Sequence, residues 1–344
     1  MWGRLQSARD FSPALLCVWI LTATLAAQVS FPAKPIRKTD TQAELVSVDK
    51  VWEIGAHNAF TDLIRFRGRW FLAFREGASH ISPDGAIRIL VSSDAERWQP
   101  AAKLDYPVAD LRDPKLTETP DGKLMLTTAG AMHPPSDVKF KTFVWFSGDG
   151  REWTPAEVIG DPEFWLWRVQ WHRGRALSFG YGTGAEKTLR AYASTDGRKF
   201  QLLNPAVIDK DYPNETSVLF LPNEEALCLL RRDEGSKTAL LGRSRPPYRG
   251  WTWEDLGVRI GGPHMLRFDD GRIVAAVRLY DGKARTSLCW LDPAANTLKE
   301  FLALPSGGDT SYAGLVNYQG LLYVSYYSTH EGRTSIYLAK VRIK

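Results

Sequence analysis

The chain has 344 residues, 44% of them hydrophobic and 24% charged, with a net charge of +5 and a pI near 9.0. That balance fits a soluble globular protein and excludes a polar disordered chain. No Lys/Arg run or stripe accompanies the positive charge, so a mildly basic surface is expected rather than a nucleic-acid footprint.

Residues 1–27 read as a secretory signal. Arg4 and Arg9 precede an apolar stretch from Ala14 to Ala27 that ends in small residues and is too short to span a membrane comfortably. Cleavage is expected after Ala26 or Ala27, giving an exported protein, periplasmic or extracellular, with no membrane attachment. Residues 28–43 form a polar, Pro-containing linker. Beyond the signal only Cys228 and Cys289 remain, both in apolar strand-like runs. Two buried thiols are favoured over a disulfide, and no Cys/His spacing calls for a metal. No cofactor is expected, and a monomer is.

From residue 44 the pattern is all strand. ELVSVDKVWEIG (44–55) is extended. A unit of about fifty residues then recurs six times: LIRFRGRWFLAFREG (63–77), KLTETPDGKLMLTTAG (115–130), VQWHRGRALSFGYG (169–182), VLFLPNEEALCLLRRDEG (218–235), MLRFDDGRIVAAVRLYDG (265–282) and LVNYQGLLYVSYYSTHEG (315–332). Each copy holds two strands around a tight turn, with turn residues at Gly68, Gly122, Gly174, Glu224, Gly271 and Gly320. A third strand follows in every repeat and a fourth in the first five. The last repeat ends without a fourth, so the segment at 44–54 is expected to supply it and close the ring, hiding an edge. The result is one domain over 44–344, a six-bladed β-propeller of four-stranded antiparallel blades.

The turns SSDAERW (92–98), SGDGREW (147–153) and STDGRKF (194–200) share Ser-x-Asp followed by a late aromatic. Asp suits the backbone N–H groups of a hairpin, and Gly a positive φ. These turns resemble the Asp boxes of sialidase-like propellers, which are peripheral structural elements. Their aspartates are therefore not candidate catalysts.

Just before each first strand lies a cluster whose chemistry does not repeat: His57-Asn58 with Thr61-Asp62; Arg112-Asp113-Pro114; Trp165-Leu166-Trp167-Arg168; Asn214-Glu215-Thr216; Gly262-Pro263-His264; Asp309-Thr310-Ser311-Tyr312. In a propeller these positions ring one mouth of the axial channel. Scaffold positions recur from blade to blade, whereas site positions differ. Arginines also end three second strands, at Arg75, at Arg231-Arg232 and at Arg278. Convergence on an anionic ligand is one reading, since the guanidinium fork suits a carboxylate or sulfate. Solvent exposure or pairing with a neighbouring blade's acid is the other.

Glu215 followed by an apolar strand and Arg231-Arg232, then Arg278 one blade later, resembles a catalytic segment of exo-sialidases. SYAGLVNYQGLLYVSYY (311–327) resembles the segment that carries their nucleophilic tyrosine. The resemblance implies a Tyr312–Glu215 nucleophile pair, arginines gripping a substrate carboxylate, and an Asp as acid/base. A neutral phenol nucleophile avoids repulsion by an anionic sugar. The family's Arg-Ile-Pro motif is missing, because that place reads AFTDL (59–63). Arg75 or Arg168 would have to substitute. For the acid, Asp84 matches the expected region, with Asp62 and Asp113 as competitors. His264 and Trp167 complete the candidate binding set, with Trp165 and Trp167 as a sugar-stacking wall.

The expectation is an exo-glycosidase acting on a glycan, with an acidic sugar favoured. Three alternatives stand beside it. Arg112-Asp113-Pro114 is similar to a motif of furanosidase propellers, which would use Asp62, Asp113 and Glu215 as three acids. Histidine acid/base chemistry at His57, His80 or His264 would suit a polysaccharide lyase. A carbohydrate-binding propeller without catalysis would use the same arginines and tryptophans.

Overall fold

The computed structural model describes residues 43–344; the signal and linker readings fall outside the described residues, except for Ala43. No helix occurs among the described residues. Strand β1 (Ala43–Trp52) opens the chain. Blade one holds β2 (His57–Phe66), β3 (Arg69–Gly77), β4 (Ala86–Ser92) and β5 (Gln99–Leu104). Blade two holds β6 (Ala109–Glu118), β7 (Leu124–Met132), β8 (Phe140–Ser147) and β9 (Glu157–Ile159). Blade three holds β10 (Phe164–His172), β11 (Arg175–Gly182), β12 (Leu189–Ser194) and β13 (Gln201–Ile208). Blade four holds β14 (Pro213–Phe220), β15 (Ala226–Arg232), β16 (Leu240–Ser244) and β17 (Thr252–Asp255). Blade five holds β18 (Ile260–Arg267), β19 (Ile273–Leu279), β20 (Arg285–Asp292) and β21 (Thr297–Ala303). Blade six holds β22 (Thr310–Tyr318), β23 (Leu321–Ser328) and β24 (Ser335–Ile343), and β1 adds to β24 as its fourth strand. The six-bladed propeller closed by its N-terminal strand is thus the observed architecture.

The second strands are the most apolar and the most buried, because neighbours cover both of their faces. Phe71, Leu72, Ala73 and Phe74 in β3 and Ala226 to Leu230 in β15 are essentially inaccessible. Fourth strands such as β5 and β13 contain no buried residue, as blade edges should. The Ser-x-Asp turns are built alike. Ser92, Ser147 and Ser194 accept N–H groups two and three residues on, and Asp94, Asp149 and Asp196 accept two more. Cys228 and Cys289 are buried free thiols.

One irregularity recurs in all six innermost strands. Pairing with the second strand skips at Ala59/Asp62, Arg112/Lys115, Leu166/Val169, Pro213/Thr216, Gly261/His264 and Ser311/Gly314. At each skip two residues face one on the partner strand, which is a β-bulge. Phe60, Asp113, Gly262 and Tyr312, each the first bulged residue of its strand, have φ between 52° and 61°. The bulge turns a side chain out of the ladder and toward the axis.

Candidate active site

The bulges place Tyr312 and Glu215 face to face across the channel. The Tyr312 hydroxyl donates to Glu215 Oε1 at 2.6 Å, and Arg231 Nη1 donates to both Tyr312 Oη (2.9 Å) and Glu215 Oε1 (2.7 Å). The Gly262 N–H, from the next bulge, donates to Glu215 Oε2 at 2.7 Å. Glu215 thus accepts three hydrogen bonds, two at Oε1 and one at Oε2. Burial pushes its carboxyl pKa up, but the Arg231 charge and these bonds outweigh burial and hold it below the ordinary value. Burial, reinforced by Glu215, pushes the Tyr312 phenol well up despite Arg231 and Arg278. The resting pair is a neutral phenol against a carboxylate.

Asp113 sits beside this pair, also at a bulge and 4% exposed. Burial, with a smaller contribution from Glu215, raises its pKa to about 6 against the pull of Lys115 and Arg112. Its Oδ1 has no hydrogen-bond partner. Lys115 is buried with its ammonium 4.6 Å from the Trp167 ring, and burial lowers its pKa to about 8. Arg112 rests 5.5 Å from the Phe60 ring, and its guanidinium has no carboxylate partner among the described residues. Neither Arg112 nor Lys115 was a sequence candidate for ligand binding. Arg112 could have been found, because it adjoins Asp113 in a non-repeating cluster; a lone lysine opening a strand gives no such signal.

The arginines divide. Arg231 enters the cluster, whereas Arg232 points to the blade's outer hairpin and binds Asp211, Asp255 and Thr238. Arg278 lies 5.2 Å from the Tyr312 ring, and its nitrogens reach Tyr327 Oη (2.8 Å), Asp309 (3.2 Å) and the Thr310 carbonyl. Arg75 does not join. It is wholly buried and held by Asp110 of blade two at 2.8 Å and by Ser79 and Ser82. It cannot replace the missing first arginine.

Asp62 and Arg168 satisfy each other through three contacts of 3.0–3.3 Å in a buried pair. Burial acts to raise the Asp62 carboxyl, but Arg168, His264, Lys115 and the Leu116 N–H hold it below the ordinary value. Neither partner is free for a ligand or a proton. Asp84 is exposed, and bonds from Ser82 and the Ala78 N–H keep it an anion, so a proton donor is not found there. Burial and Arg168 push the His264 imidazole down to about 3, so it is neutral, with Nδ1 3.0 Å from the Ala313 carbonyl. Trp165 and Trp167 do not form an open stacking wall. Both are buried, with Trp165 stacked on Tyr181 and Trp167 packed between Tyr312 and Lys115. A separate groove, lined in part by His172, Phe220, Glu224 and Tyr248, lies at the hairpin end of blades three and four and shares no residue with this cluster.

No protein-family model matches the chain, and no curated protein matches it in sequence. Solved structures do. A protein of unknown function from Dyadobacter fermentans is similar over 89% of this chain and 100% of its own, with TM-score 0.78 and 22% identity. A Trypanosoma rangeli sialidase, solved with the inhibitor DANA, is similar over 84% of this chain with TM-score 0.64 and 11% identity. The chain spans 55% of that sialidase's length. An α-L-arabinofuranosidase of Fusarium graminearum, solved with arabinobiose, gives TM-score 0.65 and 15% identity over 86% of this chain and 98% of its own. The likeness is one of fold, the six-bladed propeller that sialidases and arabinofuranosidases share.

Proposed function

We propose that the protein is a retaining exo-glycosidase, with Tyr312 as nucleophile, Glu215 as its proton acceptor and Asp113 as acid/base. The observation that carries this reading is the 2.6 Å bond from the Tyr312 hydroxyl to Glu215, flanked by Arg231. As Tyr312 Oη attacks the anomeric carbon, its proton passes to Glu215 Oε1. The glycosidic C–O bond breaks, and Asp113 protonates the leaving oxygen. Water, deprotonated by the Asp113 carboxylate, then attacks the glycosyl–tyrosine, and Tyr312 recovers its proton from Glu215. Arg231 steadies charge on the phenolic oxygen as it leaves.

An anionic sugar suits the surroundings, because Arg112 has no carboxylate partner and Lys115 makes no close ion pair. A neutral nucleophile avoids repulsion by such a substrate. The three-acid furanosidase scheme is disfavoured by the Asp62–Arg168 pair. The apolar run at 14–27 supports export, so an extracytoplasmic glycan is the proposed substrate. The test is a screen of the purified protein against aryl glycosides of acidic and neutral sugars and against acidic polysaccharides. Hydrolysis lost in both Tyr312→Phe and Glu215→Gln supports the reading. Turnover that survives in both variants sinks it.

A further inference from the structure

A second cluster lies where blade six closes on blade one. His57 opens β2, His80 sits in the loop joining β3 to β4, and Asp309 precedes β22. His57 Nε2 and His80 Nδ1 approach the same oxygen, Asp309 Oδ2, at 3.3 and 2.7 Å. All three atoms lie within 4.8 Å of one another, and no other trio of ligand-type side chains meets so closely among the described residues. The other oxygen, Asp309 Oδ1, accepts from the Tyr327 hydroxyl (2.7 Å) and from Arg278 (3.2 Å). The Asp309 N–H is fixed to Thr329 Oγ1 at 2.9 Å. The carboxylate is thus anchored through one oxygen and presents the other to two imidazoles.

We propose that His57 Nε2, His80 Nδ1 and Asp309 Oδ2 form a binding site for a transition-metal dication of the zinc type. A tetrahedral ion with arms of about 2.0–2.1 Å sets its ligands roughly 3.4 Å apart. The 3.3 Å separation of His57 and Asp309 matches that spacing, the 2.7 Å separation of His80 and Asp309 is shorter, and His80, half-exposed, has room to adjust. Two imidazoles and one carboxylate suit zinc, cobalt or nickel rather than calcium or magnesium, which prefer all-oxygen shells. Tyr327 and Arg278 act from behind the carboxylate and fix its orientation. The Arg278 charge opposes a dication and sets a ceiling on affinity. Ligands drawn from blades one and six would let the ion pin the seam of the ring. The competing arrangement uses the same atoms without metal, as two N–H donors on one carboxylate. The site does not depend on the glycosidase reading, since the cluster includes neither Tyr312 nor Glu215.

The experiment uses tag-free protein stripped with chelator and titrated with Co²⁺, then Zn²⁺. One equivalent of Co²⁺ is expected, with visible d–d absorption that Zn²⁺ abolishes by displacement. Excess Zn²⁺ should raise Tm by several degrees, as a ligand bound to the folded state alone must. His80→Ala should keep the metal-free Tm, lose the Tm rise and bind at least about 10–100-fold more weakly, the cost typical of losing even an outer-shell partner. His330→Ala, at a histidine outside the trio, should behave as wild type. Uptake well below one equivalent by the stripped wild type, or undiminished uptake by His80→Ala, overturns the proposal and leaves a hydrogen-bonded latch.

Discussion

The Tyr312 hydroxyl and the Glu215 carboxylate, 97 positions apart in sequence and two blades apart in space, are joined by a buried hydrogen bond of 2.6 Å. The bond orients the phenol and gives its proton a destination. Tyr312→Phe removes the attacking oxygen and should lower kcat by about a thousandfold or more. Glu215→Gln removes the acceptor and should cost about 10²–10⁴-fold. Single-turnover rates with an aryl glycoside, alongside a glycan-binding assay, separate chemistry from binding. Loss of binding together with loss of turnover would point to a structural role.

Asp113 should set the alkaline limb of activity. It must carry its proton to act first as an acid, and its pKa is about 6, so kcat/KM should fall as pH rises through that value. Asp113→Asn should be nearly inactive toward poor leaving groups and lose that limb with activated ones. Stability follows the same group. The folded pKa lies above the unfolded one, so this stabilisation is complete below about pH 4 and is lost as pH climbs to 6 and beyond. Asp113→Asn should therefore gain on wild type by up to about 3 kcal/mol over that interval, read by denaturant melts at pH 4 and pH 7.

Gly262 has φ +56°, and a Cβ there would stand 2.9 Å from Tyr312 Cγ and 3.1 Å from its Cα. Because Tyr312 is packed by Phe60 and Trp167, it has little room to retreat. Gly262→Ala should cost about 1–2 kcal/mol in stability through the strained φ. Displacing the phenol from Glu215 should reduce kcat by about tenfold to a hundredfold. A crystal structure of the variant should show the Tyr312–Glu215 bond lengthened; an unmoved bond with full activity would contradict this.

Asp62 and Arg168 should behave as a structural pair. Asp62→Ala leaves a buried guanidinium uncompensated, so a loss of about 3–5 kcal/mol is expected. The double variant Asp62→Ala/Arg168→Met should recover much of it. Chemical denaturation of these two variants and of Arg168→Met completes the cycle, and additive losses would rule out the pairing.

Arg112→Ala should raise KM about tenfold or more for an anionic substrate while leaving kcat nearly unchanged, since it removes a charge-assisted contact common to ground and transition states. A neutral aryl glycoside should be indifferent to the change. Equal effects on both substrates would mean that Arg112 does not read charge.

The propeller was legible because its signal is redundant. Six copies of one strand–turn–strand unit, and a sixth lacking its last strand, determine both blade number and closure. Tyr312 and Glu215 were legible as departures from that repetition. Facing was not. Whether Arg231 or Arg232 looks inward turns on one residue of register, and the bulge at Asn214-Glu215 that decides it leaves no mark in composition. Arg75 ends an apolar strand just as Arg278 does, yet Asp110 of the next blade claims it. Partners separated by a blade are invisible to local pattern. For the same reason the sequence offers Asp62 as a free acid, although Arg168 of blade three neutralises it.

The six bulges have a consequence for how such a protein can change. A residue in a ladder is held by backbone pairing on both sides and by the side chains stacked above and below it. A bulged residue is released from that register, so replacing it disturbs no strand pair. Phe60, Asp113, Trp167, Asn214, Gly262 and Tyr312 thus behave as six sockets at one level of a fixed frame. A side chain can thus be exchanged at a socket without shifting strand register, provided its neighbours in the ring are met, as Gly262 must meet Tyr312.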